Sequence, residues 1–511
     1  MNGEGMNQRE LNVVMGAIAM TLFLSALDQT IVSTALPTMV GELGGLDQYS
    51  WVVTSYMLTS TIGVPLFGKI SDLIGRKVVL QSAVVLFLAG SVLAGAAQDM
   101  LQLIITRGIQ GIGGGGIMAM SFVVMGDIIP PRERGKYAGY FTGVFAVSSV
   151  IGPLVGGFLV DSLSWRWIFY INLPLGAIAL VLTQKHLHVD RVKQDRRIDW
   201  LGAALMVGAT STALLVAVWG GQEHEWGSPT IVGLGTAAVV LLGLFILQES
   251  KASEPLIPLR LFRESVISVS TSLSFMLGVV MMGSMTFLPL FLQVVIGATP
   301  TTSGLLLLPM MGGVLVGSTF AGRLTTRWGR YGVFPRVGTL IAITGVVTLS
   351  KLDTDSSRIH SSVGMLLLGF GIGMTMPTLS LAVQNAAPMA DMGVATSSVN
   401  FFRSLGGSLG VAVFGAVMAG HVSDIDPRLL NSPAQIRALE PAVREPIVSA
   451  LADGVQAVFV AAIPAIIIAA ALAWLLKELP LRTTLGPPPS DLDNAAEGMA
   501  EASLVPAASH I

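Results

Sequence analysis

The sequence contains no cysteine. That excludes a disulfide framework, a thiol nucleophile and a thiolate metal site. Charge is also scarce. Asp, Glu, Lys and Arg make up 12% of the 511 residues, against about 25% in an ordinary globular protein. The formal net charge is −2 and no basic stripe runs along the chain, so no nucleic-acid partner is expected. Histidine is rare too. His186 and His188 are the only close pair, and i,i+2 spacing does not put two ligands on one helical face, so no metal site is expected. No phosphate-cradling glycine loop, nucleophile elbow or pair of catalytic acids occurs. The chain is therefore not expected to be an enzyme or to carry a cofactor.

What the chain has in abundance is apolar sequence. Hydrophobic residues account for 52% and the mean hydropathy is +0.73. A soluble chain of this length would form three or four domains, but one this apolar lacks the polar surface to face water. Lipid is the consistent solvent. A spanning helix needs about 20 mostly apolar residues. Fourteen candidates occur: 11–37, 51–67, 78–98, 103–127, 137–160, 166–183, 199–220, 228–248, 266–294, 303–322, 334–350, 361–386, 394–419 and 454–476. The first run exceeds a signal-like length and holds Asp28, so it reads as a retained span. In the uncharged stretch from Ser265 to Gly322, Gly297, Pro300 and Gly304 mark the break between two spans.

Orientation follows from the loops. With the N-terminus in the cytoplasm, cytoplasmic segments hold 21 of the 29 Lys and Arg, external loops hold six, and Arg107 and Arg403 lie within spans. That bias predicts both termini inside. An internal repeat is also present. Gly68-Lys-Ile-Ser-Asp-Leu-Ile-Gly-Arg-Lys77 aligns with Gly322-Arg-Leu-Thr-Thr-Arg-Trp-Gly-Arg-Tyr331, each after the second span of a six-span set. Two parallel halves related about the membrane normal are the expected result. The expected division is an N-terminal six-helix bundle at 1–186, two linking helices at 187–255, a C-terminal six-helix bundle at 256–480 and a disordered tail at 481–511.

Further motifs join the Gly68–Lys77 loop: Leu27-Asp-Gln-Thr-Ile-Val-Ser-Thr-Ala-Leu-Pro37 in span 1, Arg107-Gly-Ile-Gln-Gly-Ile-Gly-Gly-Gly-Gly116 in span 4, Gly152-Pro-Leu-Val-Gly-Gly157 in span 5 and Trp165-Arg-Trp-Ile-Phe-Tyr-Ile-Asn-Leu-Pro174. In this order and at these spans, the chain resembles the fourteen-helix drug:proton antiporter branch of the major facilitator superfamily. The resemblance implies an all-α polytopic fold of two six-helix bundles plus two linking helices. It also implies proton-driven export from a bacterial plasma (inner) membrane by alternating access.

The residues themselves add chemistry. Of the 31 Asp and Glu, only Asp28 lies well inside a span. An intramembrane carboxylate is a functional hypothesis by default. Thr21, Ser25 and Asp28 share a helical face at i, i+4, i+7, which is expected to line a polar cavity. Exclusion from water favours the neutral acid, so that a proton and a cationic cargo would compete for Asp28. The alternative for so isolated a carboxylate is a structural ion pair or a helix-packing hydrogen bond. Arg107, Gln110, Gly114 and Met118 fall near one face of span 4. The resemblance implies proton coupling for Arg107; the alternative is a structural role near the outer face.

By resemblance, Gly68, Asp72, Gly75, Arg76 and Asp127 form a conformational latch. The repeat has Thr326 where Asp72 aligns, so no matching second latch is expected. By resemblance again, Gly152, Pro153, Gly156 and Gly157 form an exporter-specific bend; the alternative is ordinary small-residue packing. Ser25, Asp28, Gln110, Met118 and Arg403 are the candidate cavity residues. Arg403 opposes a cationic cargo unless it is paired or reaches the interface, and the sequence leaves that open. The expected function is efflux of amphiphilic, cationic compounds in exchange for protons, with the proton gradient as energy source. The alternative is a dedicated exporter of one lipid, siderophore or natural product. The expected partners are cargo, protons and the lipid bilayer; nothing in the sequence calls for an auxiliary envelope protein.

Overall fold

The structure, a computed structural model, describes residues 8–43, 49–129, 131–187, 199–221, 224–298, 300–388, 391–422, 436 and 439–481. The expected tail beyond Leu481, residues 423–435, 437 and 438 of the 420–453 loop and the side chain of Pro153 lie outside them.

The described residues are helical, with no β-strand among them. Lipid allows little else, because each backbone N–H and C=O must be bonded within its own segment. The first half holds α1 (Gln8–Leu43), α2 (Tyr49–Ile74), α3 (Arg76–Gly95), α4 (Met100–Ile128), α5 (Pro131–Ser162), α6 (Trp167–Tyr170) and α7 (Asn172–His186). Then come α8 (Trp200–Trp219) and α9 (Pro229–Lys251). The rest is α10 (Ser265–Val294), α11 (Pro300–Leu306), α12 (Leu308–Trp328), α13 (Val333–Leu349), α14 (Arg358–Ala386), α15 (Met392–Val422) and α16 (Pro441–Leu475).

Several starts are written in the sequence. Asp99 accepts from Gln102 N at 2.8 Å, Asp199 from Gly202 N at 2.9 Å and Ser357 from His360 N at 3.2 Å. Each satisfies an otherwise orphaned N–H at a helix start and is worth about 1 kcal/mol.

Each of the fourteen expected spans falls on helix, the sixth on α6 and α7 and the tenth on α11 and α12. Among the described residues, eleven helices are long and apolar enough to cross a membrane, and α13 is a shorter apolar one. α2 and α5 fall below that mark, and their neighbours explain why. α2 packs on α4, α8 and α15, while α5 packs on α1, α12 and α14. A helix enclosed by other helices can carry Thr54, Ser55, Thr59 and Ser60 without exposing them to lipid. α9 is the opposite case. Its Val232, Val239, Val240 and Leu247 are exposed, as a lipid-facing surface requires.

Packing falls into separate cores. One is built from α10, α12, α13, α14, α15 and α16, around Leu277, Phe291, Val346 and Phe459. Two others are built from α1 to α7, around Phe87, Val123 and Phe141, and around Ile31, Trp165 and Phe169. A smaller cluster of Val64, Ala119 and Phe401 bridges the first-half helices and α15. The Arg107–Gly116 run explains how tightly the first half closes. A Cβ on Gly113 would strike the α3 backbone at Phe87, and one on Gly115 would strike the α2 backbone at Ser60. Only glycine lets α4 sit that close to both neighbours.

Candidate functional site

α1, α3, α4 and α7 bring five polar side chains together in the first half. Asp28 is fully buried and Arg107 is 1% exposed. Arg107 Nη1 donates to Asp28 Oδ2 at 2.5 Å and to Gln110 Oε1 at 2.6 Å. Gln110 Nε2 donates to Asp28 Oδ1 at 2.8 Å and to Ser91 Oγ at 2.7 Å. Asn172 Nδ2 donates to Asp28 Oδ1 at 3.1 Å and to Ser91 Oγ at 3.2 Å. The Arg107 Cζ lies 4.2 Å from the centre of the Tyr56 ring, and Tyr56 Oη lies 3.2 Å from Ser25 Oγ. Burying two charges in lipid is costly, and mutual attraction offsets that only when further hydrogen bonds satisfy both ions. Here two amides complete the carboxylate and an aromatic face covers the guanidinium.

This corrects one expectation. The Thr21–Ser25–Asp28 face does not line an open cavity with a bare acid. Thr21 Oγ1 returns to Ile18 O at 2.7 Å, Ser25 meets Tyr56, and Asp28 is enclosed. Arg107 is the partner of Asp28. The two intramembrane charges come from antiparallel helices at similar depth, and each offsets part of the other's cost. Gln110 belongs to the network, whereas Met118 is half-buried eleven residues from Arg107, about three turns further along α4.

The second cluster sits at the turn between α2 and α3. Gly75 has φ 102° and ψ 146°, a region essentially restricted to glycine. It starts α3 with Arg76 turned back. Arg76 donates through Nη1 to Asp72 Oδ1 and, at 2.7 Å, to Ser71 Oγ. Its Nε donates to Asp127 Oδ2 at 2.7 Å. The turn also touches the second half. Ser397 of α15 packs against Gly68, and the Asp72 carboxylate packs against Gly393 at the start of α15. Gln384 of α14 reaches Phe122 O at 3.5 Å, so the two halves meet at this end.

Of the Gly152–Gly157 run, Gly152 makes a close contact. A Cβ there would strike Thr30, whose Oγ1 donates to Ser148 O at 3.1 Å. Gly156 is buried, and Gly157 has open space beside it. Arg403, half-buried on α15, has no carboxylate partner among the described residues; its Nη1 lies 3.8 Å from Met376 Sδ.

Several participants were not singled out from sequence. Ser91, Tyr56 and Asn172 complete the buried network. Lys69, itself buried, pairs with Glu254 at 3.5 Å, which ties the α2 end to the segment after α9. Arg260 pairs with Asp391 at 2.9 Å. At the far end of α1, Glu42 accepts from Arg166 Nη1 at 2.5 Å and Trp165 Nε1 at 2.7 Å. Those hydrogen bonds, Arg166 first, hold the Glu42 carboxyl below its usual range against the opposing effect of burial. The Trp165–Pro174 run was the available signal, since it contains Trp165, Arg166 and Asn172.

Apolar helices long enough to span lipid, a glycine turn that recurs in both halves and an ion-pair network enclosed in one half fit a multi-pass membrane transporter. Residues 18–411 match the Major Facilitator Superfamily, and the chain belongs to that family. It is 39% identical over 510 residues to an uncharacterised MFS-type transporter of Mycobacterium tuberculosis, covering 97% of this chain and 73% of the relative. It is 39% identical over 442 residues to the multidrug transporter protein MdtP of Bacillus subtilis, covering 85% and 81%. Among solved structures, the proton:xylose symporter XylE bound to 6-bromo-6-deoxy-D-glucose superposes with a TM-score of 0.64 at 16% identity, covering 94% of this chain and 98% of that one. That likeness is one of fold.

Proposed function

We propose that the protein exports amphiphilic compounds across a bacterial plasma membrane in exchange for protons, by alternating access, as a member of the fourteen-helix drug:proton antiporter branch. Similarity to a bacterial multidrug transporter supports efflux. The observation that carries proton coupling is the closed Asp28–Arg107 pair with its amide partners. In this reading a proton and Arg107, not a proton and a cationic cargo, compete for the carboxylate. Protonation removes the charge that holds Arg107 and releases the guanidinium lying over Tyr56. Tyr56 is on α2, and the far end of α2 carries Gly68 and Asp72, which touch α15. One rigid helix therefore connects the proton site to the contact between halves, the kind of two-state element a switch needs. The cationic preference expected from a bare Asp28 loses its footing, since that charge is already matched.

The reading places both termini in the cytoplasm, so that the Gly68–Lys77 end is the cytoplasmic end. It divides the chain into bundles at 1–186 and 256–480, joined by the helices of 187–255. The test is transport in proteoliposomes with an imposed pH gradient. Wild type moves cargo and Asp28→Asn does not, although it reaches the membrane at normal levels. Wild-type rates in Asp28→Asn would remove the carboxylate from the mechanism.

A further inference from the structure

One intramembrane charge is left out of this scheme. Arg403 lies eleven residues past the start of α15, about 17 Å along the helix. Its guanidinium does not climb toward the helix end. It meets Met376 Sδ, which is ten residues, roughly 15 Å, from the end of α14. An arginine at such depth is costly and is retained for a partner. The protein supplies no anion: among the described residues, Arg403 makes no ion pair.

The same face of α15 carries a row of unsatisfied polar atoms. Thr396, Asn400 and Arg403 follow at i, i+4, i+7. Thr396 and Asn400 are fully buried, yet Thr396 Oγ1 and Asn400 Oδ1 have no hydrogen-bond partner in the protein. Ser397 Oγ, one residue over, has none either. Unpaired buried polar groups are rare and each costs free energy. Two of them, on the face that leads to one half-buried guanidinium, mark an enclosed polar site, while Ser397 lies against Gly68 of α2. The site lies beside the seam, because Phe401 of the same helix turn packs with Val64 of α2 and Ala119 of α4.

We propose that Arg403, with the Thr396 and Asn400 side chains, binds a carboxylate on the exported compound, so that the cargo is an amphiphilic acid or zwitterion rather than a simple cation. The inference rests on the efflux reading above. A planar guanidinium pairs with carboxylate through two N–H bonds. The hydroxyl of Thr396 adds a donor, and Asn400 Oδ1 accepts from a cargo N–H or O–H. Around them, Met376, Phe401 and Phe402 offer an adaptable apolar wall.

The test uses a rhodamine with a free carboxylate and the methyl ester of the same rhodamine, which differ only in the anion. Binding to purified protein and uptake into proteoliposomes under a pH gradient are both read. Wild type prefers the acid roughly tenfold or more, the worth of one charge-assisted hydrogen-bonded pair. Arg403→Gln collapses that ratio toward one, and Arg403→Lys, which keeps a cation in place, retains part of it. If Arg403→Gln does not fold, Arg403→Met keeps the unbranched stem beside Met376 and serves instead. Equal handling of acid and ester by wild type, or an undiminished ratio in the folded variants, overturns the proposal. Gradient-driven uptake of the ester alone sinks the carboxylate site and leaves the efflux reading standing. Uptake of neither dye removes both.

Discussion

The two halves share a turn but use it differently. Gly75 and Gly329 are equivalent in the repeat, and both take positive φ, 102° and 70°. The arginine that follows each points to different company. Arg76 is 11% exposed and is held by Asp72 and Asp127. Arg330 is 64% exposed and meets Glu478, beyond α16. Deeper in, the contrast repeats. Arg107 has a buried carboxylate at 2.5 Å, whereas Arg403 has a thioether. The first half thus holds Arg76 and Arg107 closed on its own carboxylates. The second leaves one arginine open and ties its turn to the segment after α16. A repeated backbone keeps its geometry while the side chains on it are free to specialise, here into an enclosed ion-pair network on one side and an arginine without a carboxylate among the described residues on the other.

The contrast breaks most sharply at the deep arginines. Arg107→Gln leaves Asp28 buried without its cation, and losing one partner of a buried pair costs about 3–5 kcal/mol. Thermal unfolding in detergent should show a large fall in melting temperature, mostly recovered when Asp28→Asn is added. Arg403→Gln should leave the melting temperature level or raise it, because an unpaired charge is removed from lipid. A large loss at Arg403 would show a structural partner and erase the difference between the halves.

The next effect concerns rate. Asp72 bonds Arg76 and packs against Gly393 of α15, so its charge stabilises the state in which the halves meet there. A hydrogen bond to a charged group contributes about 1.5–3 kcal/mol. Asp72→Asn should slow turnover roughly tenfold with little change in cargo affinity. A loss of affinity at unchanged rate would move Asp72 out of the latch.

Much of this arrangement was legible beforehand. Hydropathy placed each of its fourteen runs on helix, because lipid exposure demands apolar side chains. It ran weaker for α2 and α5, whose neighbours are helices. The glycine turns were legible because positive φ selects glycine. Asp28 and Arg107 were both visible as intramembrane charges, but not as a pair. Depth would have joined them: Asp28 lies 20 residues past the start of α1 and Arg107 lies 21 before the end of α4, about 30 Å in each case. Ser91, Tyr56 and Asn172 carried no such mark. Serine, tyrosine and asparagine occur throughout membrane helices, and only the packing of α2 and α3 on α4, and of α7 on α1 and α3, makes these three a network. Lys69–Glu254 was hidden for the same reason, since nothing in either segment names the other.

A smaller effect separates the two turns. Gly75 sits at ψ 146° and Gly329 at ψ 15°. The first region is essentially closed to side chains, at about 1–3 kcal/mol, while the second is left-handed helical, which asparagine tolerates. Nothing lies within 4 Å of a Cβ placed on Gly329. Gly75→Asn should lower the melting temperature clearly, and Gly329→Asn should barely change it. Equal losses would mean that the second turn is as constrained as the first.

The smallest effect belongs to Arg330 and Glu478. Their pair lies in water, where screening and side-chain entropy take back most of the attraction. Glu478→Gln should change neither melting temperature nor transport rate beyond error. The comparison can be sharpened by supplying what the repeat lacks. Thr326 lies four residues before Arg330, as Asp72 does before Arg76, and its hydroxyl is spent on Gly322 O at 3.0 Å. Thr326→Asp restores the i,i+4 acid but not the Asp127-like partner, the burial or the α15 contact. A slight gain in melting temperature, abolished by high salt, is the expected outcome. If that one acid instead slowed transport as strongly as Asp72→Asn, charge alone would make the latch. The distinction between a turn buried against the opposite half and one left in water would then carry no weight.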